Sequence, residues 1–227
     1  MNLNSQLPFN FEHRPSLGGN DFLIAPSNQE AVAWIDKWPD WTTPLLILYG
    51  PPGCGKTHLS NVFMAMTGAL QLTLATIKDS SSTISINSQK NFVIDGEDID
   101  IFLKTNEEEL FHLYNYINSI GGYMLITAES PPIHWDFRLA DLSSRFKAAQ
   151  SIGIGMPDDD LIKAVLIKLF SDQQVKVEID VINYIMKRME RSFESARKFV
   201  QRANTMALIE KRRITMVLAR KVLDDLE

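Results

Sequence analysis

The sequence has one cysteine, no long hydrophobic run and no excess of positive charge. Cys54 is the single cysteine among 227 residues, which excludes an internal disulfide and argues against a cysteine metal site. No apolar stretch approaches the roughly 18 residues that a membrane span needs, and the N-terminus lacks a secretory-signal pattern, so we expect a cytoplasmic protein without a membrane partner. The formal net charge of -5 argues against a broad electrostatic attraction to nucleic acid.

One motif with a definite chemistry is present. Residues 50–57 read GPPGCGKT and complete the phosphate-loop pattern G-x-x-x-x-G-K-[ST]. An apolar run at 45–49 precedes the motif and helical apolar spacing follows it, so the loop joins a predicted buried strand to the N-terminus of a helix. Main-chain N–H groups can converge on a β-phosphate in such a loop. The predicted nucleotide contacts are Gly50, Pro51, Pro52, Gly53, Cys54, Gly55, Lys56, Thr57 and His58.

Three side chains indicate that the nucleotide is bound together with Mg²⁺. Lys56 places a positive charge between the β- and γ-phosphates, and the hydroxyl of Thr57 is offered to Mg²⁺. Asp95 ends an apolar run that begins at Asn91, and we expect it to orient the metal through the water shell of the ion. The sequence therefore predicts a site for ADP or ATP with Mg²⁺.

The residue after Asp95 departs from the pattern of ATPases that hydrolyse rapidly. Such enzymes usually carry a second acid in that position, where it polarises the attacking water. Gly96 occupies the position here, and Glu97 follows it. We therefore expect weak ATP hydrolysis by the chain itself, with Glu97 as the substitute acid if hydrolysis occurs.

Two further polar residues are candidates for contacts to the γ-phosphate. The apolar run 123–127 is predicted to lie between the two strands that carry the phosphate loop and Asp95, so Thr127 or Glu129 could sense the γ-phosphate; a strand end and turn is the alternative. Arg145 lies in the segment LSSRF at 142–146, on a predicted short helix. There it could reach across a subunit boundary as an arginine finger, and a surface ion pair is the alternative interpretation.

Apolar runs and helical patterns alternate along the first two thirds of the chain. This alternation predicts an α/β fold with a parallel sheet covered by helices on both faces. Residues 1–20 show no sustained periodicity and are expected to form a flexible tail. The predicted strands are 45–49, 70–74, 91–95, 123–127 and 152–154, and the predicted helices include 27–38, the stretch after the phosphate loop, and one that has Glu107–Glu109 at its start and ends at Gly121.

Beyond residue 156 only helical patterns occur, and they predict a small helical lid. Its expected helices are 161–171, 178–190, 192–211 and 215–226. Basic residues gather in this region, where they form either a DNA-facing patch or solvated helix faces with interspersed acids. We favour solvated faces, because Glu190, Glu194 and Glu210 lie among the cations.

Together these motifs resemble the initiator-type AAA+ proteins of the DnaA/Hda family. The resemblance spans nearly the whole chain and includes the phosphate loop, the strand end at Asp95, LITAESPP at 125–132 and the arginine segment at 142–146. It implies a P-loop AAA+ αβα core at 21–156, a helical lid at 157–227, and ADP or ATP held with Mg²⁺. It also implies that the Arg145 finger completes the nucleotide site of another subunit, either DnaA or a second copy of this chain.

Two details of the sequence are similar to the Hda-like members of that family. The chain ends at Glu227 with no residues left for a helix-turn-helix domain, so no sequence-specific DNA binding is expected. The segment QLPFNF at 6–11 looks like the sliding-clamp peptide of Hda-like proteins. In that interpretation Leu7, Phe9 and Phe11 enter an apolar groove of the clamp while Gln6 makes directed hydrogen bonds; the alternative is that the segment packs on its own core.

The resemblance implies a regulator of replication initiation that binds the DNA polymerase sliding clamp and stimulates ATP hydrolysis by DnaA. The alternatives are a replication-loader ATPase that hydrolyses ATP itself, and a clamp accessory whose nucleotide is structural. One element departs from the family pattern: the lid arginine that contacts the phosphates is replaced by Glu194 in an ungapped comparison. The residues around Arg197 resemble that motif one turn later, so Arg197 is the predicted phosphate contact. If Glu194 occupies the place instead, the site would favour a nucleoside diphosphate over a triphosphate.

Overall fold

The computed structural model describes residues 13–14, 22–73 and 89–226, with the backbone alone at positions 13, 14, 22, 97, 98 and 102. The described chain forms two compact units. Of the described residues, the core unit contains 26–73 and 89–155, and the helical unit contains 156–226 together with 13–14 and 22–25. No helix of the described chain is long and apolar enough to cross a membrane.

The core unit is built on a parallel sheet of five strands, which confirms the predicted α/β fold class. The strands of this sheet are β3 Leu45–Tyr49, β4 Leu70–Leu72, β5 Asn91–Ile94, β6 Tyr123–Ala128 and β7 Gln150–Gly153. In the sheet β3, which precedes the phosphate loop, lies between β6 and β7, and β5 lies between β4 and β6. The three inner strands, β3, β5 and β6, are buried almost without interruption, because helices cover both faces of a parallel sheet, whereas the edge strands β4 and β7 are only partly buried.

The helices of the core unit include one that the sequence did not predict separately. Two helices, rather than one, lie between β5 and β6, and the first begins directly at Gly96. Its buried side chains, Ile99 and Leu103, are spaced by one turn, but the acids at positions 97, 98 and 100 surround Ile99 and weaken the apolar pattern. The core helices are α1 Gln29–Asp36, α2 Lys56–Thr67, α3 Gly96–Thr105, α4 Glu107–Ser119 and α5 Ala140–Ala148, and a 3-10 turn spans Pro132–His134. As predicted, α4 ends beside a left-handed glycine, Gly121, with φ of +62°.

The helical unit contains the four expected helices and a short antiparallel pair. The helices are α6 Asp159–Asp172, α7 Ile179–Met186, α8 Phe193–Ile209 and α9 Met216–Leu226. They pack around their own buried apolar cluster, which includes Phe170 and Phe199. The antiparallel pair joins β1 His13–Arg14 to β2 Phe22–Leu23. The flexible tail expected at residues 1–20 stays a prediction, because most of those residues lie outside the described ranges.

Half of the lysine and arginine residues at 156–226 form ion pairs with acids of the same unit. Ion pairs join Arg191 to Asp159 at 2.5 Å, Lys198 to Glu194 at 2.5 Å and Arg202 to Asp225 at 2.9 Å. Glu210 binds both Arg212 and Lys221, and these two cations hold its carboxyl pKa below the usual value, with the hydrogen bond from Lys221 as the largest cause. These pairs agree with solvated, interspersed helix faces rather than with a continuous cationic patch.

A buried carboxylate ties α4 to the segment that precedes α5. Glu107, in the first turn of α4, is only 7% exposed. Its two carboxylate oxygens accept hydrogen bonds from the backbone N–H groups of Arg138 at 2.8 Å and of Leu139 at 2.9 Å. Charged hydrogen bonds of this kind are among the stronger ones in proteins, and a buried amide that loses its acceptor is left unsatisfied. Glu107 therefore fixes where α5 begins.

The first prediction concerns this link. Replacing Glu107 with Ala should lower the free energy of unfolding of the core unit by about 1–3 kcal/mol, because two backbone amides lose their acceptor. All four tryptophans, at positions 34, 38, 41 and 135, lie in the core unit, so urea unfolding followed by tryptophan fluorescence reports on that unit. Glu108→Ala, an exposed acid of the same turn, is the control and should cost at most about 1 kcal/mol. Equal losses in the two variants would contradict the proposed role of Glu107.

Candidate functional site

The phosphate loop runs from the end of β3 to the start of α2, as the motif predicts. Gly55 is the N-cap residue of α2 with φ of 104°, a left-handed conformation that glycine adopts without steric cost. Helix α2 begins at Lys56, so the N–H groups of Lys56 and Thr57 have no acceptor within the helix and lie at its positive end. This is the backbone arrangement that binds phosphate in loops of this kind.

A close backbone approach at the first glycine holds the loop in place. The N–H of Gly50 donates to the carbonyl of Ala128 at 3.1 Å, which attaches the loop to the end of β6. On the other side a Cβ on Gly50 would lie 2.3 Å from the carbonyl oxygen of Ile154, far inside van der Waals contact. Only glycine fits between these two strand ends, so the motif's first residue has a packing role as well as a conformational one.

Lys56 lies across the loop rather than away from it. Its ammonium group donates hydrogen bonds to the carbonyl oxygens of Gly50 at 2.7 Å and Pro51 at 3.0 Å. The charge is therefore held inside the curve of the loop, where a phosphate group would meet it. Thr57 is exposed on the first turn of α2, and its hydroxyl is accessible for a metal ligand role.

Cys54 is a buried thiol at the centre of the same loop. Burial raises its pKa above the usual value, and the nearby charge of Lys56, whose Nζ lies 4.0 Å from the sulfur, offsets part of this effect. The thiol is therefore protonated at neutral pH and behaves as a small apolar side chain. The packing of Cys54 under the loop accounts for its position without any reactive role.

Asp95 and Thr127 form one hydrogen-bonded pair at the carboxyl edge of the sheet. Ile94 of β5 pairs with Ile126 of β6, and this register places the next residues of the two strands side by side. The fully buried hydroxyl of Thr127 donates to Oδ1 of Asp95, and the N–H of Gly96 donates to the same oxygen at 2.9 Å. Within the described part of the chain Oδ2 of Asp95 makes no hydrogen bond, so that oxygen remains for a metal-bound water.

The sheet order brings Thr127 and the phosphate loop to the same edge. Strand β6 lies between β3 and β5, and the carboxyl ends of parallel strands meet at one edge, where such sheets bind their ligands. Of the two residues considered as γ-phosphate sensors, Thr127 is the one that contacts Asp95, whereas Glu129 follows the strand and is exposed. Their roles toward a nucleotide stay predictions.

The glycine after Asp95 is not imposed by crowding. A Cβ on Gly96 would meet its nearest neighbour, the Thr127 hydroxyl oxygen, at 3.5 Å, which is ordinary contact, and the φ of Gly96 is not in the left-handed region. The side chain of Glu97, which the sequence offers as a substitute acid, lies outside the described residues. No group of three or more His, Cys, Asp or Glu side chains that could hold a metal occurs in the described ranges.

Arg145 is held against α4 by neutral groups of its own chain. Its Nη1 donates to Oδ1 of Asn115 at 2.6 Å, and its guanidinium carbon lies 5.0 Å from the ring centre of Phe111 and 5.2 Å from that of Tyr114. No ion pair involves Arg145 among the described side chains, so the surface ion-pair alternative is not what the structure contains. Sequence reasoning missed these contacts, because an amide and two aromatic side chains on a helix carry no motif.

The two residues considered for the lid contact to the phosphates, Glu194 and Arg197, lie on the first turns of α8. Glu194 forms the ion pair with Lys198, and the hydrogen bond from Lys198 is the main reason that the pKa of Glu194 is below its usual value. Arg197 is exposed on the same helix. Both residues belong to the helical unit, and the contact predicted between Arg197 and the nucleotide stays a prediction. The proposed clamp peptide, Gln6, Leu7, Phe9 and Phe11, lies outside the described residues.

Comparison with known proteins relates the whole arrangement to one group of relatives. No protein-family model matches the chain. The chromosomal replication initiator DnaA of Campylobacter jejuni subsp. doylei is 27% identical over 235 residues, which cover 93% of this chain and 53% of that protein. DnaA of Tropheryma whipplei is 25% identical over 241 residues, which cover 94% of this chain and 50% of that protein. The chain thus spans about half the length of the curated relatives that it matches.

Solved structures of low sequence identity share the fold. Domain III of Thermotoga maritima DnaA superposes with a TM-score of 0.77 at 18% identity and covers 90% of this chain and 94% of that one. AMPPCP-bound DnaA from Aquifex aeolicus gives a TM-score of 0.67 at 14% identity, over 86% and 65% of the two chains. A Thermotoga maritima RuvB variant gives 0.68 at 18% identity, over 88% and 68%. The chain is therefore similar in sequence to DnaA over nearly its whole length, and it has the α/β P-loop AAA+ fold seen in domain III of DnaA.

Proposed function

We propose that this protein is an Hda-like regulator of replication initiation. It binds ADP or ATP with Mg²⁺, attaches to the sliding clamp, and stimulates ATP hydrolysis on DnaA by supplying Arg145 in trans. The observation that carries the proposal is a combination within one core unit. This unit has a complete phosphate loop, no acid directly after Asp95, and an arginine, Arg145, that no carboxylate among the described side chains neutralises. Such a unit is better suited to complete a neighbour's site than to hydrolyse ATP alone.

The nucleotide part of the proposal rests on the geometry of residues 50–57. The N-terminus of α2 and the ammonium group of Lys56 present positive charge to the same side of the loop. Mg²⁺ would be shared between the hydroxyl of Thr57, the phosphates, and waters oriented by Asp95. A DnaA structure with this fold contains AMPPCP, an ATP analogue, which supports an adenine nucleotide as the ligand.

The trans-acting part rests on charge. The phosphate loop would hold the phosphates, and Mg²⁺, if bound, would supply further positive charge there. Rapid hydrolysis also needs a group that positions the attacking water and a cation that stabilises the transition state. Gly96 has no side chain that could position or polarise the attacking water. Arg145 is a cation on α5, and a subunit with its own water-positioning acid could use it across an interface. DnaA is the proposed neighbour, and assembly with a second copy of this chain is the alternative within the same mechanism.

The clamp part rests on sequence alone. A segment such as QLPFNF binds by burying apolar side chains in a groove while an amide makes directed hydrogen bonds. Attachment to a clamp on DNA would raise the local concentration of the regulator near its target without any new contact to DNA. The proposal accordingly needs no sequence-specific DNA binding by this chain.

The second prediction tests the nucleotide site. Lys56→Ala should weaken binding of ADP and ATP by about 10- to 100-fold, because a charge-assisted hydrogen bond to the phosphates contributes about 1.5–3 kcal/mol. Titration calorimetry with each nucleotide, in the presence and absence of Mg²⁺, measures this loss. Lys104→Ala, an exposed lysine on α3, is the control and should bind as the unaltered chain does. Unchanged affinity in Lys56→Ala would reject the loop as the phosphate site.

The third prediction tests the finger. In a reaction with DnaA, ATP and clamp loaded on DNA, Arg145→Ala should reduce ATP turnover to the rate of DnaA alone, since an arginine finger supplies about 10³-fold or more of the rate. Lys147→Ala, an exposed cation on the same helix, is the control and should keep full stimulation. Equal stimulation by Arg145→Ala and the unaltered chain would exclude this role.

Two further measurements of ATP turnover, one on the isolated protein and one in the reaction with DnaA, separate the two alternatives. Steady ATP turnover by the isolated protein that disappears in Glu97→Gln would favour a self-hydrolysing loader-type ATPase. Full stimulation by a folded Lys56→Ala variant would instead favour a clamp accessory whose nucleotide is structural.

The fourth prediction tests the partner. Gln6→Ala combined with Leu7→Ala should abolish capture of purified sliding clamp by the immobilised chain, because the hydrogen-bonding amide and one apolar anchor are removed together. Asn2→Ala combined with Asn4→Ala is a control in the same segment and should leave capture unchanged. Equal capture by both double variants would show that residues 6–11 are not the clamp site.

A further inference from the structure

The environment of Arg145 differs from that of a structural surface arginine. The guanidinium group lies against three side chains of α4, namely Phe111, Tyr114 and Asn115, which we call the arginine clamp. Two aromatic faces and one amide oxygen restrict the position of the group, since cation–π contacts and a short hydrogen bond are directional. The side chain of Arg145 is half-buried and thus held in one place rather than free in solvent.

The arginine clamp holds the cation without neutralising it. Asn115 accepts one of the five N–H groups of a guanidinium, and neither the amide nor the rings carry a formal charge. Asp141 lies four residues earlier on α5, the spacing at which helical acid–base pairs form, yet it makes no ion pair with Arg145. The positive charge and the remaining donors are therefore available to an anion that approaches from outside the chain.

The helix that carries Arg145 is attached to α4 at two levels. Glu107 in the first turn of α4 binds the amides just before α5, and Asn115, two turns further along α4, binds Arg145 near the end of α5. Leu142 and Phe146 on either side of Arg145 are fully buried in the core. Helix α5 therefore cannot slide or rotate without breaking one of these contacts, and the orientation of Arg145 is determined by α4.

From these contacts we propose that Asn115 is a positioning residue: together with Phe111 and Tyr114 it presents Arg145, with its charge intact, to the phosphates of a nucleotide bound by another subunit. This inference rests on the proposed function, in which Arg145 acts in trans. Preorganisation of the cation removes the cost of ordering a long side chain at the moment of catalysis, and a neutral acceptor keeps the full charge for the transition state.

An isosteric substitution distinguishes this role from a merely structural one. Asn115→Asp keeps the shape and the acceptor but adds a carboxylate that pairs with Arg145. The maximal stimulated rate of ATP hydrolysis on DnaA should fall by about 10-fold or more, because the charge that supports the transition state is compensated. The concentration of regulator that gives half-maximal stimulation should change much less, and the midpoint of thermal unfolding by tryptophan fluorescence should not fall.

A second variant and a control complete the experiment. Asn115→Leu removes the acceptor, so it should also lower the maximal rate, and the guanidinium ¹⁵N resonances of Arg145 should show faster rotation about Cζ–Nη by NMR. Asn118→Asp places the same charge on an exposed position three residues along α4 and should leave the rate and these resonances unchanged.

Each outcome bears on a different claim. If Arg145→Ala is inactive but Asn115→Asp stimulates fully, the positioning role is overturned while the trans-acting arginine stands. If Arg145→Ala stimulates as well as the unaltered chain, or the unaltered chain gives no stimulation, the proposed function fails and this inference fails with it. Unchanged Arg145 resonances in a folded Asn115→Leu variant would show that Asn115 does not restrain the guanidinium group, and the arginine clamp would be overturned.

Discussion

The attachment of one loop to the two strands beside it is the constraint on which the candidate site depends. Strand β3 is flanked by β6 and β7, and its end is hydrogen-bonded to both: Gly50 donates to Ala128, and Ile154 donates to Tyr49 at 2.7 Å. A side chain at position 50 would collide with Ile154, so the loop can leave the sheet only through a glycine. This fixed exit directs the following residues to the N-terminus of α2, where phosphate would bind.

The same sheet edge organises the rest of the site through register rather than through sequence proximity. Asp95 and Thr127 are 32 residues apart, but the pairing of β5 with β6 places them side by side, and the buried hydroxyl holds the carboxylate. Because one carboxylate oxygen takes both hydrogen bonds, the other makes none within the described part of the chain. A parallel sheet thereby brings two distant strand ends into contact, and in the proposed function this pair orients a metal ion through water.

Helices α4 and α5 form a second fixed arrangement within the core unit. A buried glutamate and a half-buried asparagine connect them, and only the second contact involves a cation. The two contacts differ in charge. The carboxylate of Glu107 accepts hydrogen bonds from backbone amides, so it neutralises no side chain, whereas Arg145 is bound by the neutral amide of Asn115. In the proposed function this division keeps the cation available to another subunit while the helix that carries it stays fixed.

Much of the architecture could be predicted from local signals. The phosphate loop can be predicted because a loop that binds phosphate between a strand and a helix needs glycines for close backbone approach, a lysine for charge and a threonine hydroxyl, and these residues occur at the required spacing. The five strands and the four helices of the helical unit follow from hydrophobic period and were located within a few residues. The sequence did not predict the separate helix α3, because the acids around Ile99 weaken the apolar pattern at the start of the helix, and only the tertiary fold shows that Ile99 and Leu103 are buried.

The sequence by itself determined the fold class, the phosphate loop and the candidacy of Asp95, Thr127 and Arg145, because each depends on residue type and short-range spacing. Only the tertiary structure decided that Thr127 rather than Glu129 contacts Asp95, that Glu107 is a buried tie, and that Arg145 is held by Phe111, Tyr114 and Asn115. Those contacts join residues about 30 positions apart, and their partners are determined by strand register and helix packing, which a linear pattern does not contain.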